Sequence, residues 1–145
     1  MSGWIGRAMI ALGATLIFSA PANAQPRQSG LTALAKLEPG LWQLRDLDQR
    51  NAAGQSICIA DPNLLMQIEH RNSPCSRLVL ANQPKGATVH YTCPANGFGR
   101  TSLRVETSHL AKIDTQGIID NAPFAYRAEA RRVGACTAGR VRGAR

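Results

Sequence analysis

The sequence predicts a mainly β (α+β) domain, a single antiparallel curved sheet or open barrel-like meander with one short helix and two disulfides. Three observations predict it. Apolar residues recur with period 2 through most of the chain, whereas the helical period appears once, at Leu64, Leu65 and Ile68. Clusters of Gly, Pro, Asn and Ser punctuate the chain at short intervals. The 4 cysteines, Cys58, Cys75, Cys93 and Cys136, form an even set behind an export-type N-terminus.

The stretch 75–93 carries the most local information. It holds two short strands, 76–81 and 87–92, around the turn-forming run Asn82-Gln83-Pro84-Lys85-Gly86. Folded about Pro84, the hairpin sets Arg77 against Tyr91, Val79 against Val89 and Cys75 against Cys93. Directly opposed residues have Cβ atoms roughly 4.5–5.5 Å apart, within reach of a disulfide. Cys58 is then left for Cys136 by elimination, tying the second strand to the last.

Residues 1–24 have the form of a secretory signal peptide. Arg7 supplies the charge, an apolar run follows through Phe18, and Ala22-Asn23-Ala24 is an Ala-x-Ala cleavage box. The apolar core is shorter than the roughly 17–25 residues that span a bilayer, so the mature chain is not expected to span a membrane. Cleavage after Ala24 leaves 121 of the 145 residues, enough for one domain. The expected compartment is periplasmic or extracellular, and the leader has a bacterial style.

Residues 25–36 are expected to form a flexible leader and 37–136 the disulfide-braced domain. Within the domain, 41–47 forms a first strand with Trp42 and Leu44 on one face, and 56–60 a second carrying Cys58. Asp61-Pro62 starts the helix: aspartate caps free N–H groups, and proline at the first position has none to satisfy. The helix ends near Glu69-His70. Strand 100–108 puts Thr101, Leu103, Val105 and Thr107 on one face. A strand over 110–114 closes at the turn Thr115-Gln116-Gly117, and the last strand runs over 124–133. Its inward set is Phe124, Tyr126, Ala128 and Ala130, with Arg127, Glu129 and Arg131 outward. Residues 137–145 are expected to be a basic, disordered tail.

These features together resemble the small secreted bacterial proteins that carry domain of unknown function 3617. The matching residues are the exported N-terminus, Pro39-Gly40-Leu41-Trp42 entering the first strand, the order of the four cysteines, and the closing run Ala130-Arg131-Arg132-Val133-Gly134-Ala135-Cys136. The resemblance spans about residues 37–136. It implies export and a disulfide-braced β fold, and it carries over no catalytic residue.

The formal net charge is +8, and removing Arg7 with the leader leaves +7. Such a balance favours attraction to polyanions. Arginine outnumbers lysine 14 to 3, and arginine suits bidentate phosphate or carboxylate partners. The candidate anion-binding set is Arg127, Arg131 and Arg132, continued by Arg140, Arg142 and Arg145 in the tail. No aromatic residues interleave with it, which argues against nucleic acid and leaves an anionic envelope component as the expected partner.

Other constellations are weaker. His70, His90 and His109 have no metal-ligand spacing, and the cysteines lack a C-x-x-C pair. No G-x-S-x-G is present, and Gly97-Phe98-Gly99-Arg100 lacks the strand-to-helix context of a phosphate loop. Asp46 with Asp48, or Asp114 with Asp120 around the Gln116-Gly117 turn, are paired carboxylates that local turn bonding also explains. The expectation is therefore a non-enzymatic envelope binding or stress-related module with no cofactor and no metal. One alternative is a carrier or sensor of a small apolar ligand, on a face lined by Leu103, Val105, Phe124 and Tyr126. A further alternative is an inhibitor of an envelope-degrading enzyme, for which the positive charge is a poor match to a cationic target such as lysozyme.

Overall fold

The computed structural model describes residues 30–49 and 51–137. The expected signal peptide (1–24) and residues 138–145 of the expected tail lie outside the described residues. Seven strands form one unclosed antiparallel sheet: β1 (Gly40–Asp46), β2 (Gln55–Ile59), β3 (Ser76–Gln83), β4 (Gly86–Cys93), β5 (Gly97–Thr107), β6 (Leu110–Ile119) and β7 (Ala122–Gly134). Their order across the sheet is β2-β1-β7-β6-β5-β4-β3. Strands β3 to β7 form an unbroken meander, and the first hairpin docks beside the last strand. The β2–β3 connection must therefore cross from one edge of the sheet to the other. It carries the 3-10 helix Pro62–His70 over one face.

That helix starts as the sequence predicts. The Asp61 carboxylate accepts from the Asn63 backbone N–H at 2.9 Å, with Pro62 in the first turn. Helical geometry is interrupted at Gln67 (φ −141°, ψ 48°). There the buried Gln67 amide donates to the carbonyls of His70 (3.1 Å) and Ser73 (3.3 Å) and accepts from Arg77 Nε at 2.8 Å. The side chain thus satisfies backbone groups that a regular helix end would leave free. Leu65, Met66 and Ile68 turn into the core.

Period 2 assigns the two sheet faces. Trp42 and Leu44 of β1, Ile57 and Ile59 of β2, Val89 and Tyr91 of β4, Leu103 and Val105 of β5, and Ala128 and Ala130 of β7 all point under the helix. Cross-strand neighbours stack in rows on this face. One row is Tyr91, Gly99, Gly117 and Phe124; the next is Val89, Thr101, Thr115 and Tyr126. Thr101 and Thr115 are buried and share a 2.8 Å hydrogen bond, which satisfies both hydroxyls.

Both expected disulfides are present. Cys75–Cys93 closes the open end of the β3–β4 hairpin, whose register is Arg77↔Tyr91, Leu78↔His90 and Val79↔Val89. Cys58–Cys136 ties edge strand β2 to the end of β7, with Cα atoms 5.5 Å apart. Disulfides persist in oxidising compartments outside the cytoplasm. No helix among the described residues is long and apolar enough to cross a membrane.

Three expectations need correction. The domain starts before Leu37: Leu31, Ala33 and Leu34 are buried, and Lys36 reaches the Pro84 carbonyl at 2.6 Å, so this part of the expected flexible leader is packed. Strand β6 does not stop at Thr115-Gln116-Gly117 but continues to Ile119. Its reversal is made instead by Asp120 and Asn121, both at positive φ (49° and 63°), as a tight hairpin turn requires. Asp114 and Asp120 are accordingly not turn partners. Gly97-Phe98-Gly99-Arg100 lies inside β5.

Candidate functional site

The three arginines singled out in the sequence do not form one strip. Arg127 and Arg131 share the face opposite the helix, as alternation demands. Arg132 falls on the other face, where its Nε donates to the Pro39 carbonyl at 2.8 Å. Arg127 is clamped to Asp48: its backbone N–H donates to Oδ2 at 3.0 Å and its Nε to Oδ1 at 3.2 Å. Hydrogen bonding to Arg127 holds the Asp48 carboxyl below its ordinary value, and the same pair raises the guanidinium. Arg131 lies 3.2 Å from Glu129, which also faces Arg45 at 3.6 Å. Each of the two outward arginines thus has a carboxylate already.

The buried polar groups beneath the helix are better explained as structure. His70, which the sequence places at a helix end, is buried. Its Nε2 lies 2.9 Å from the Asn96 carbonyl and its Nδ1 3.3 Å from the Tyr91 hydroxyl. Burial pushes the Tyr91 phenol up to about 12, the Glu69 charge adding to the shift. Tyr126 is raised further, by burial and by the hydrogen bond it donates to Glu69. These side chains tie the helix to the sheet; His70 and Tyr91 are buried, and Glu69 and Tyr126 half-buried. His90 instead stands on the uncovered face, 6.1 Å from the Phe98 ring, and His109 contacts Glu38 at 2.9 Å. The histidines therefore occupy three separate environments. Among the described residues no group of three His, Cys, Asp or Glu is placed to hold a metal. Asp46 accepts from the backbone N–H groups of Asp48 (2.7 Å) and Gln49 (3.1 Å), the turn-bonding role.

The apolar face needed by the ligand-carrier reading is filled at Leu103 and Val105, while Phe124 and Tyr126 are half-buried and Phe124 borders an open groove. Leu103 and Val105 are buried in the same cluster as Leu65 and Ile68. The space lies on the opposite, uncovered face of β4 to β7. There the register stacks four rows of outward side chains: Arg104, Lys112 and Glu129; Thr88, Ser102, Asp114 and Arg127; His90, Arg100, Gln116 and Ala125; and Phe98 with Ile118. A groove of about 570 Å³ covers the first two rows and one of about 410 Å³ the last two. Both fall in the size range of small-ligand sites. Because they occupy successive positions on the same four strands, they abut along the strand direction.

Cations predominate in the groove linings. Lys85, Arg100, Arg104, Lys112 and Arg127 line the two grooves, and Asp114 is the one carboxylate in the linings. Among the described residues, Arg100 and Lys112 have no carboxylate within ion-pair distance, while Arg104 contacts Glu106. The Thr88 and Ser102 hydroxyls, 3.0 Å apart, add neutral hydrogen-bonding capacity. Such a surface can hold an anion. Sequence reasoning missed Arg100, Arg104 and Lys112 as a group. Their signal was present: two arginines at even spacing on the cleanest strand, with a lysine on the next strand across a short turn. Comparison with family models, with curated proteins and with solved structures gives no match to this chain.

Proposed function

We propose that this chain is an exported, non-enzymatic envelope module, akin to the proteins carrying domain of unknown function 3617, that binds an anionic envelope component on the uncovered face of its sheet. One observation carries the reading: five cations line the grooves of that face, and although Asp48 and Glu106 pair Arg127 and Arg104 and Glu129 neighbours Lys112, Arg100 and Lys112 have no carboxylate within ion-pair distance among the described residues. Cations such as Arg100 and Lys112, with no ion pair to break, raise the local concentration of polyanions and cost little to pair. The two disulfides support a site of action in an oxidising compartment, periplasmic or extracellular.

Retention of the full chain on envelope fractions tests the reading. Retention should be strong at low ionic strength and lost at about 1 M salt, where the Debye length is ~3 Å. The triple variant Arg100→Glu, Arg104→Glu, Lys112→Glu should lose it, while deletion of residues 138–145 should leave most of it. Retention that survives both the triple variant and high salt would overturn the proposal. So would retention that depends on the tail alone.

A further inference from the structure

The charged end of the open face is not its only anomaly. Leu78 (61% exposed) and Phe98 (43% exposed) are among the large apolar side chains left in solvent, and both lie at the opposite end of the same face. Leu78 faces His90 across the β3–β4 pair, and Phe98 faces Ile118 across the β5–β6 pair. The face therefore grades from cations to apolar groups along the strand direction. Arg104 and Phe98 are six residues apart on β5. At about 3.3 Å per residue that is roughly 20 Å. One leaflet of a bilayer holds hydrocarbon about 15 Å deep, so this span accommodates an acyl chain and its head group.

We infer that the two abutting grooves hold a single-chain anionic amphiphile, with a phosphate head at Arg104 and Lys112 and its acyl chain laid over Phe98 and Ile118. This deepens the anion-binding reading and rests on it. Phosphate fits the polar end better than a carboxylate does. A phosphate monoester carries about −1.5 to −2 at neutral pH and offers three acceptor oxygens. Lys85, Arg104 and Lys112 converge on that end, with the Thr88 and Ser102 hydroxyls one row further in. Asp114 sits opposite Arg127 in that same second row, so its charge is partly offset where the head would pass. The chain then crosses the level of Arg100 and Gln116, whose aliphatic stems give apolar cover. It ends among Phe98, Ile118 and Ala125.

Calorimetric titration of the full disulfide-bonded chain with three probes tests this: dodecyl phosphate below its micelle concentration, dodecyl maltoside and inorganic phosphate. Dodecyl phosphate should bind at least about tenfold tighter than either of the others, a difference of about 1.4 kcal/mol. Lys112→Glu should weaken it about tenfold or more. Phe98→Asn should weaken dodecyl phosphate similarly, while inorganic phosphate, which occupies only the Arg104 and Lys112 end, should bind it as it binds the wild type. Phe98 is exposed, so this variant should keep the wild-type circular dichroism, and Ile118→Asn provides a second one. Equal affinity for dodecyl maltoside and dodecyl phosphate would overturn the inference, as would indifference to both apolar variants. If envelope retention persists without any preference for the acyl chain, the amphiphile inference alone fails. If retention is absent too, the anion-binding reading fails with it.

Discussion

Tyr126 on β7 donates a 2.6 Å hydrogen bond to the Glu69 carboxylate near the end of the 3-10 helix, across 57 residues of chain. It fixes the helix over the sheet at a point where the backbone is no longer regular. Removing it with Tyr126→Phe should cost roughly 1.5–3 kcal/mol, the range for a hydrogen bond to a charged group. Glu69→Gln keeps an acceptor and should cost less. Urea denaturation checks both, with a shifted midpoint at unchanged slope.

Alkaline pH should destabilise the domain through the same cluster. Tyr91 ionises at about 12 in the fold, against an ordinary value of 10.0. Tyr126 is raised more. A raised folded value means the contribution is fully present below about pH 10 and is lost as pH climbs toward 12. Midpoints measured from pH 8 to 12 should fall above pH 10, less steeply in Tyr91→Phe. A flat wild-type profile would contradict the buried phenols.

A glycine pair makes room for this cluster. A Cβ on Gly99 would lie 2.4 Å from the Tyr91 hydroxyl oxygen, and Gly117 meets the Phe98 backbone as closely. Gly99→Ala should therefore destabilise by about 1–3 kcal/mol through overpacking. Gly134→Ala, where a Cβ meets nothing within 4 Å, should stay within about 0.5 kcal/mol of wild type. Thermal melts of the two variants give the comparison.

The glycine pair also explains what the sequence hid. Strand faces were legible wherever period 2 ran without interruption, as in β5 and β7, and the β3–β4 register from the cysteines to Val79 followed from Pro84 and the two cysteines, whereas the bulge after Val79 that shifts the rest by one residue did not. Gly117 looks like a turn residue because glycine is common in turns. Here it is glycine because the Phe98 and Gly99 backbones pass too close for a side chain. Burial of Leu31 and Leu34 was hidden for another reason: their partners are distant in sequence, and a polar stretch precedes them. The cationic face needed strand order as well as strand identity. Arg127 drew notice beside its basic neighbours, but Asp48 neutralises it from a loop 79 residues away. Arg100 and Lys112 become prominent only once β5 and β6 are paired.

Reduction should matter more here than in a domain with a larger aromatic core. The chain-entropy relation gives roughly 4.5 kcal/mol for the 78-residue loop closed by Cys58–Cys136 and about 3 for the 18-residue loop of Cys75–Cys93. Typical domains have only about 5–15 kcal/mol in total. The reduced domain is expected to be largely unfolded at about 37 °C. Circular dichroism unchanged by reductant would refute this.

The role of the open face is tested most directly by titrating the isotope-labelled domain with polyphosphate and following its amide and arginine side-chain resonances. Shifts should map to the outward residues of β4 to β7, above all Arg100, Arg104 and Lys112, and vanish at about 1 M salt. Shifts confined to residues 138–145, or to the helix-covered face, would contradict the account.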